Sequence, residues 1–378
     1  MFFRAELRRR WRAWLALALI VGAFTGVVEA AAAGARRTDA AYPSLLAWSG
    51  APDLLLFSFP GTSRTFGQFS PQKVAAAVPQ ARQTAILVGY PVGSPAAAQV
   101  IAPESTAVPG RFWHRRILSG RLPDPARADE VNISFTLAQT AHLGAGDVLR
   151  ATLLTPAGRP VPFAFRIVGI DAAPSEFPPQ TGTGTDTVWA TPAFYRAHRS
   201  GLDSYTGVAL RLRRGTADLP AVQREMSRLT GGKYVQSYPL ATQAANTERS
   251  IHLQAVALWL VAALLAVISV LVLGQLLARM SFLDSVEYRT LRALGLSRRT
   301  LLAIGLLRAA VIGAAGAVAG TLTALAISPL LPVGLAAVAE PYPGIRADGL
   351  VFGVGVAAAV LITIAATAWP TWPPSGAR

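Results

Sequence analysis

Between Leu253 and Ala278 the chain carries no charged residue, and that run constrains the fold more than any other feature. A helix rises about 1.5 Å per residue and the hydrocarbon core of a bilayer is about 30 Å thick, so roughly 20 apolar residues cross it. Two further stretches meet this requirement. Ala309 to Ala339 is uncharged, with Pro329 and Pro332 placed to end its helix near Ser328, and Leu350 to Trp369 is closed by Pro370. A fourth runs from about Trp11 to Ala33 around an uncharged centre, Ala13 to Val28, with Glu29 towards its far end. The basic start (Arg8, Arg9, Arg10) and the small-residue run Ala30 to Gly34 also fit a cleavable signal peptide. The length of the segment, and Trp11 and Trp14 as interfacial aromatics, favour a retained anchor.

Charge supports the same reading. Only 15% of the residues are charged, against about 25% in soluble domains, so lipid replaces water over part of the surface. The net charge of +15 comes with Arg clusters beside the apolar segments and with no alternation of basic and aromatic residues, which argues against nucleic-acid binding. The absence of cysteine excludes disulfides, thiolate metal sites and cysteine nucleophiles.

Lys/Arg bias then sets orientation. Arg4, Arg8, Arg9, Arg10 and Arg12 precede the first segment, and Arg279, Arg289, Arg292, Arg298 and Arg299 lie between the second and third; both regions belong in the cytoplasm. Between the last two segments Arg346 is balanced by Glu340 and Asp348, which places that loop outside. The expected layout is a basic cytoplasmic N-terminus 1–12, a transmembrane helix 13–33, an extracytoplasmic domain 34–250, a helix 251–278, a cytoplasmic loop 279–300, a helix 301–328, a short external loop 329–348, a helix 349–370 and a cytoplasmic tail 371–378.

The inserted domain is large enough for its own core. Ala85 to Val88, Val148 to Leu154 and Phe163 to Ile170 are β-prone runs bounded by Pro or Gly. Asp218 to Leu229 reads as an amphipathic helix with Leu219, Val222, Met226 and Leu229 on one face, and Thr136 to His142 as a second short helix. The fold class is therefore a membrane protein with four transmembrane α-helices and a large α+β extracytoplasmic domain between helices 1 and 2. No catalytic set emerges. His114, His142, His198 and His252 lack metal spacing, and no Gly-x-Ser-x-Gly elbow occurs. The Gly182 to Thr185 stretch reads as a loop; heavy Ala, Arg, Gly and Pro usage suggests a GC-rich bacterial genome, in which the sequon at Asn132 would carry no weight. No cofactor or metal is called for.

The segment Arg279 to Thr300 is the most informative. Phe282, Val286, Thr290, Leu291 and Leu294 share a helical face, Gly295 can stop that helix, and Ser297 can cap the next. A short amphipathic helix at the inner membrane surface is expected, serving either as a lipid anchor or as a docking element for a cytoplasmic partner. In the third membrane segment Gly313, Gly316 and Gly320 are candidate helix-packing positions; Gly316 and Gly320 form a Gly-x-x-x-Gly pair that permits close approach in lipid.

The string Leu291-Arg-Ala-Leu-Gly-Leu-Ser-Arg-Arg299 resembles a signature of FtsX/MacB-family ABC transporter permeases. The stretch Gly120 to Val131, then Leu143 to Leu149 and Phe165 to Ile170, is similar to the MacB-like periplasmic core domain of the same family. The order of one helix, a large external domain and three helices matches as well. The resemblance implies a coupling helix that contacts an ABC-type ATP-binding subunit, with Glu287, Leu291, Arg292, Leu294, Gly295, Arg298 and Arg299 as the coupling residues. It also implies a bacterial inner-membrane location with both termini cytoplasmic, a second permease copy or homologous half as partner, and lipid, lipoprotein or peptide export. The Gly-x-x-x-x-Gly-Lys-Ser/Thr motif is absent, so the chain is expected to be non-catalytic with ATP hydrolysed by a partner. The alternative within the family is a membrane-anchored regulatory module controlling an external partner such as a cell-wall hydrolase. Two features depart from the pattern. Arg308 stands where relatives often carry an acid, and the chain ends soon after its last helix, as expected of a half-transporter or a truncated product.

Overall fold

A computed structural model describes residues 2–58, 67–92, 98–106, 112–179, 186–293 and 297–368. In chain order the elements are α1 (Phe2–Ser49), β1 (Leu54–Ser58), α2 (Pro71–Ala77), β2 (Arg82–Gly89), β3 (Gln99–Pro103), β4 (Arg116–Gly120), β5 (Glu130–Ser134), α3 (Phe135–Ala141), β6 (Val148–Leu154), β7 (Pro160–Ala172), β8 (Thr187–Trp189), α4 (Pro192–His198), β9 (Ser204–Arg211), α5 (Leu219–Leu229), β10 (Gln236–Pro239), α6 (Leu240–Ala293), α7 (Arg298–Ile327), α8 (Leu335–Ala339) and α9 (Gly349–Ala368). They fall into two compact units. One comprises Met1–Ala40, Ile251–Ala337 and Tyr342–Arg378; the other comprises Ala41–Ser250 and Val338–Pro341.

The first unit is helical. Stretches within α1, α6, α7 and α9 are long and apolar enough to cross a membrane. The chain is a multi-pass membrane protein. Leu253, Leu260, Leu264 and Leu271 of α6 are exposed, as lipid-facing side chains would be. Without a hydrophobic driving force between helices in lipid, close backbone packing must hold them. Small residues provide it. A Cβ on Gly316 of α7 would lie 2.9 Å from the Ala18 carbonyl oxygen of α1, and one on Gly320 would lie 2.9 Å from the Gly22 oxygen. Gly22 and Gly26 return the contact: a Cβ on Gly26 would sit 2.7 Å from the Gly320 oxygen. Gly313 faces α9, where a Cβ would meet Val360 Cα and Thr363 Cβ at 3.2 Å. Thus two Gly-x-x-x-Gly pairs, 22/26 and 316/320, lie against each other.

Polar groups collect at one end of this bundle. Arg36 pairs with Asp348 at 2.8 Å, and His252 Nδ1 lies 2.8 Å from Asp39 Oδ1. Arg37 donates from Nη1 to the carbonyls of Ser328 (3.0 Å) and Gly344 (3.0 Å) and from Nη2 to that of Tyr342 (3.1 Å). Carbonyls left open where α7 stops are thereby satisfied by a side chain. Helix α1 does not stop at residue 33, where its apolar run ends; it continues to Ser49. After Gly34, which the helix absorbs, the residues Ala35-Arg-Arg-Thr-Asp-Ala-Ala41 offer no further breaker. Pro43 is the next, and it lies within the last two turns. The 329–348 connection is also partly helical, containing α8.

The second unit is built on one ten-stranded mixed sheet, in the order β10-β1-β9-β2-β3-β8-β5-β7-β4, with β6 pairing β7. The β3/β8 and β5/β7 pairs are parallel and the others antiparallel. Central strands are covered on both faces, which explains their continuous apolar runs. In β2, Ala85 and Leu87 join a cluster with Val131, Leu149, Phe165 and Phe194, while Ile86 and Val88 join Leu55, Ile101, Trp113 and Trp189 on the other face. Helices α2 and α5 cover Leu54, Leu56, Val208 and Leu210 with Val74, Val222 and Met226. The short helices start on sequence-encoded caps: Ser70, Ser134 and Thr191 accept from Lys73, Leu137 and Phe194 amides at 3.4, 3.2 and 3.2 Å.

Overpacking a tight helix contact costs about 1–3 kcal/mol. Gly320→Val is therefore expected to lower the thermal unfolding temperature of the detergent-solubilised chain, while Gly274→Val, where a Cβ meets nothing within 4 Å, leaves it unchanged. Equal melting of the two variants would refute the α1–α7 contact.

Candidate functional site

The segment 279–293 is the end of α6 rather than a separate surface helix. Residues 279–293, expected as part of a loop, continue α6 without interruption to Ala293. The reason is local. From Met280 to Ala293 there is neither Gly nor Pro, and Leu, Arg, Glu and Ala favour helix. Glu287, Leu291 and Arg292 lie on this helical stretch, with 287 and 291 one turn apart. Leu294 and Gly295 lie outside the described residues. The chain re-enters helix at Ser297, whose Oγ accepts from the Thr300 amide at 3.2 Å. Arg298 opens α7 and Arg299 is exposed beside it. Of the expected coupling residues, Glu287, Leu291 and Arg292 lie on the end of α6 and Arg298 and Arg299 on the start of α7. The Gly182 to Thr185 stretch, Pro370 and the tail 371–378 lie outside the described residues.

Residues 259–376, less than half of the chain, match the family model described as FtsX-like permease C-terminal. This matched stretch is similar to an FtsX-like permease domain. It includes most of α6, the 287–299 connection, α7 and α9. No curated protein sequence matches the chain. Solved structures also align with it, among them the following two. The periplasmic region of MacB from Actinobacillus actinomycetemcomitans has 11% identity over 52% of this chain and 92% of its own, with a TM-score of 0.28. The extracellular domain of the noncanonic ABC-type transporter YknZ from Gram-positive bacteria has 9% identity over 49% and 99%, with a TM-score of 0.27.

Within the helical unit a buried acid, Glu29 of α1, stands out. Glu29 is 1% exposed. It accepts from Thr321 Oγ1 of α7 at 3.0 Å, and its other oxygen has no hydrogen-bond partner. Its carboxyl group rests against Gly355 of α9, which has no side chain to displace it. An ionisable residue inside a membrane bundle faces protein rather than lipid, and this one ties α1 to α7. Its sequence signal was a single acid at the end of an apolar run. Arg308, which the sequence left without a role, sits with its guanidinium 5.9 Å from the Trp14 ring centre, within cation–π range.

The sheet unit holds a buried charge cluster that its sequence did not announce. Asp171 ends β7 fully buried, and Glu176 follows with 1% exposure. Arg115 Nε donates to Asp171 Oδ2 at 2.7 Å and its guanidinium stacks 4.6 Å from the Trp189 ring centre. Asn132 Nδ2 donates to the same Asp171 oxygen at 3.1 Å. Glu176 accepts from the Ala173 amide at 2.9 Å and from Trp189 Nε1 at 2.8 Å. Burial first, and then the Asp171 charge, push the Glu176 carboxyl well above the ordinary carboxylate range. Burial likewise raises Asp171, opposed by Arg115.

At Gly120–Val131 the opposite holds. Arg121 makes a bidentate pair with Glu130 at 2.8 and 2.9 Å, and the Asp124 amide donates to Glu130 at 3.1 Å. These bonds lower the Glu130 carboxyl to about 2. Gly120 has φ +77°, and a Cβ there would strike the Val168 carbonyl, so glycine is required for the turn that sets Arg121.

Among the described residues no group of three or more His, Asp or Glu could hold a metal. The four histidines have packing or pairing contacts instead. His114 stacks near Trp48, and His198 lies against Phe163 and Phe194. His142 caps α3 in the left-handed conformation, and His252 meets Asp39.

The two carboxyls carry opposite pH signs. Glu130, lowered, contributes stability that is present above its unfolded value and is lost as pH falls towards about 2. Glu176, raised, contributes stability that is full below its unfolded value and is lost as pH rises through its folded one. Thermal unfolding across pH is the measurement: Glu176→Gln is expected to flatten the alkaline limb and Glu130→Gln the acid limb. Unaltered limbs would contradict the assignment.

Proposed function

We propose that the chain is a non-catalytic permease subunit of a bacterial ABC transporter, resident in the inner membrane with both termini cytoplasmic and the sheet unit outside. The observation that carries this is the FtsX-like match over 259–376, which includes the connection bearing Leu291 and Leu294. Arginines concentrate before α1 and between α6 and α7, which supports a cytoplasmic placement of both. A separate ATP-binding subunit docks at the α6–α7 connection through Glu287, Leu291, Arg292, Leu294, Gly295, Arg298 and Arg299. A second permease copy or a homologous permease completes the assembly.

Closure of the ATPase moves the 287–299 connection. Helix α6 begins at Leu240, next to β10, and ends at Ala293. One continuous helix therefore runs from the sheet unit to that connection. The work done outside is export or extraction of a lipid, lipoprotein or peptide.

Affinity purification from native membranes in mild detergent is expected to recover an ATP-binding subunit with the chain. Leu294→Asp is expected to lose that subunit, and with it the stimulated ATPase activity, while the chain stays in the membrane. Retention of both by the variant would overturn the docking role. Recovery of an external hydrolase and no ATPase would instead favour the regulatory reading.

A further inference from the structure

The segment Ala173–Phe177 links β7 to the loop before β8, and three different parts of the sheet unit hold it. From α1, Tyr42 is 1% exposed and donates from Oη to the Pro174 carbonyl at 3.1 Å. Its ring packs against Phe177 with centroids 5.6 Å apart. From α6, Gln243 Nε2 donates to the Ser175 carbonyl at 2.9 Å and the Phe177 carbonyl at 3.1 Å. From the sheet, Trp189 Nε1 donates to Glu176 at 2.8 Å. Trp189 is itself held by Trp113 edge-on at 5.2 Å and by Arg115 over its face.

This arrangement is selective. Tyr42 and Gln243 sit on α1 and α6, long helices that belong to both units, and both reach for backbone carbonyls of the same five residues. Those carbonyls belong to a short turn, Pro174–Glu176, outside the sheet ladder, so side chains complete its bonding. The Glu176 carboxylate has two donors to satisfy, the Ala173 amide and the Trp189 indole, and both oxygens are used. An amide side chain offers one acceptor oxygen and would orphan one of them.

We propose that Ala173–Phe177 is the joint through which α1 and α6 together grip the sheet, with Glu176 as the pin that fastens it to Trp189. Tyr42 and Gln243 are positioning residues for the joint. A shift of either helix pulls the same turn, and the turn passes it to β7 and β8. The charged groups that act on the pin are Asp171 and Arg115. The consequence for transport rests on the permease reading; the existence of the joint does not.

Hydrogen exchange of the purified full chain in detergent, read by mass spectrometry, tests it without any partner. If the joint couples the two sides, Trp189→Phe and Glu176→Gln speed exchange in the helix ends 41–49 and 240–250. Conversely, Gln243→Leu and Tyr42→Phe speed exchange in 173–177 and 187–189. Loss of one such hydrogen bond is expected to raise exchange about fivefold. The pair Gln243→Leu with Trp189→Phe should act less than additively, since each breaks the same joint. Effects confined to the side that was mutated, or full additivity, would overturn the proposal. The four single variants alter different elements, so misfolding of one leaves the others decisive. Copurification of an ATP-binding subunit is a separate readout: a joint without that subunit sinks the permease reading alone, and the subunit without coupling sinks the joint alone.

Discussion

A peptide group inside hydrocarbon has no water to bond, so every amide and carbonyl that crosses must be satisfied by its own helix. The rest of this structure depends on that constraint. It makes the four apolar stretches helices, and it keeps α1, α6, α7 and α9 unbroken across their apolar lengths. Their association cannot then come from burying oil away from oil. It comes from glycine faces that bring backbones together at 22/26 and 316/320 and at 313, and from rare polar contacts such as Thr321 with Glu29. Where the apolar layer ends, Arg36, Arg37, Asp39, His252 and Asp348 are spent on one another and on open carbonyls.

The sheet unit solves the converse problem. Water is available to it, yet Asp171, Glu176, Asn132 and Arg115 turn inward. Buried charges persist only when paired and hydrogen-bonded, and here the partners are Arg115, Trp189 and the Ala173 amide. The cluster sits where the long strand β7 ends and the chain bends towards β8. That bend is also the place gripped by Tyr42 and Gln243. One polar cluster thus serves the packing of the sheet and the attachment of the two helices that leave it.

Much of this was legible from residues alone. The β-prone runs at Ala85–Val88, Val148–Leu154 and Phe163–Ile170 lie within β2, β6 and β7, and the amphipathic run ending at Leu229 is α5. Ser297 caps α7, as its position before Arg298 suggested. The break expected near residue 279 is not there, because loss of apolar character does not by itself end a helix and residues 280–293 hold neither Gly nor Pro. For the same reason α1 runs on past residue 33. Half of the α1–α7 contact was missed, since the glycine pair at 22 and 26 looks like ordinary membrane composition until its partner is seen opposite.

The sequence by itself determined the elements and their environment. Hydrophobic length, helical or alternating periodicity and cap residues act over a few neighbouring positions, so they can be read along the chain. Only the tertiary structure decided which glycines meet, that Glu29 reaches Thr321 across nearly the whole chain, and that Tyr42, Gln243, Glu176 and Trp189 converge on one turn. Those contacts join residues far apart in sequence, and no local pattern specifies a partner that the fold alone brings near.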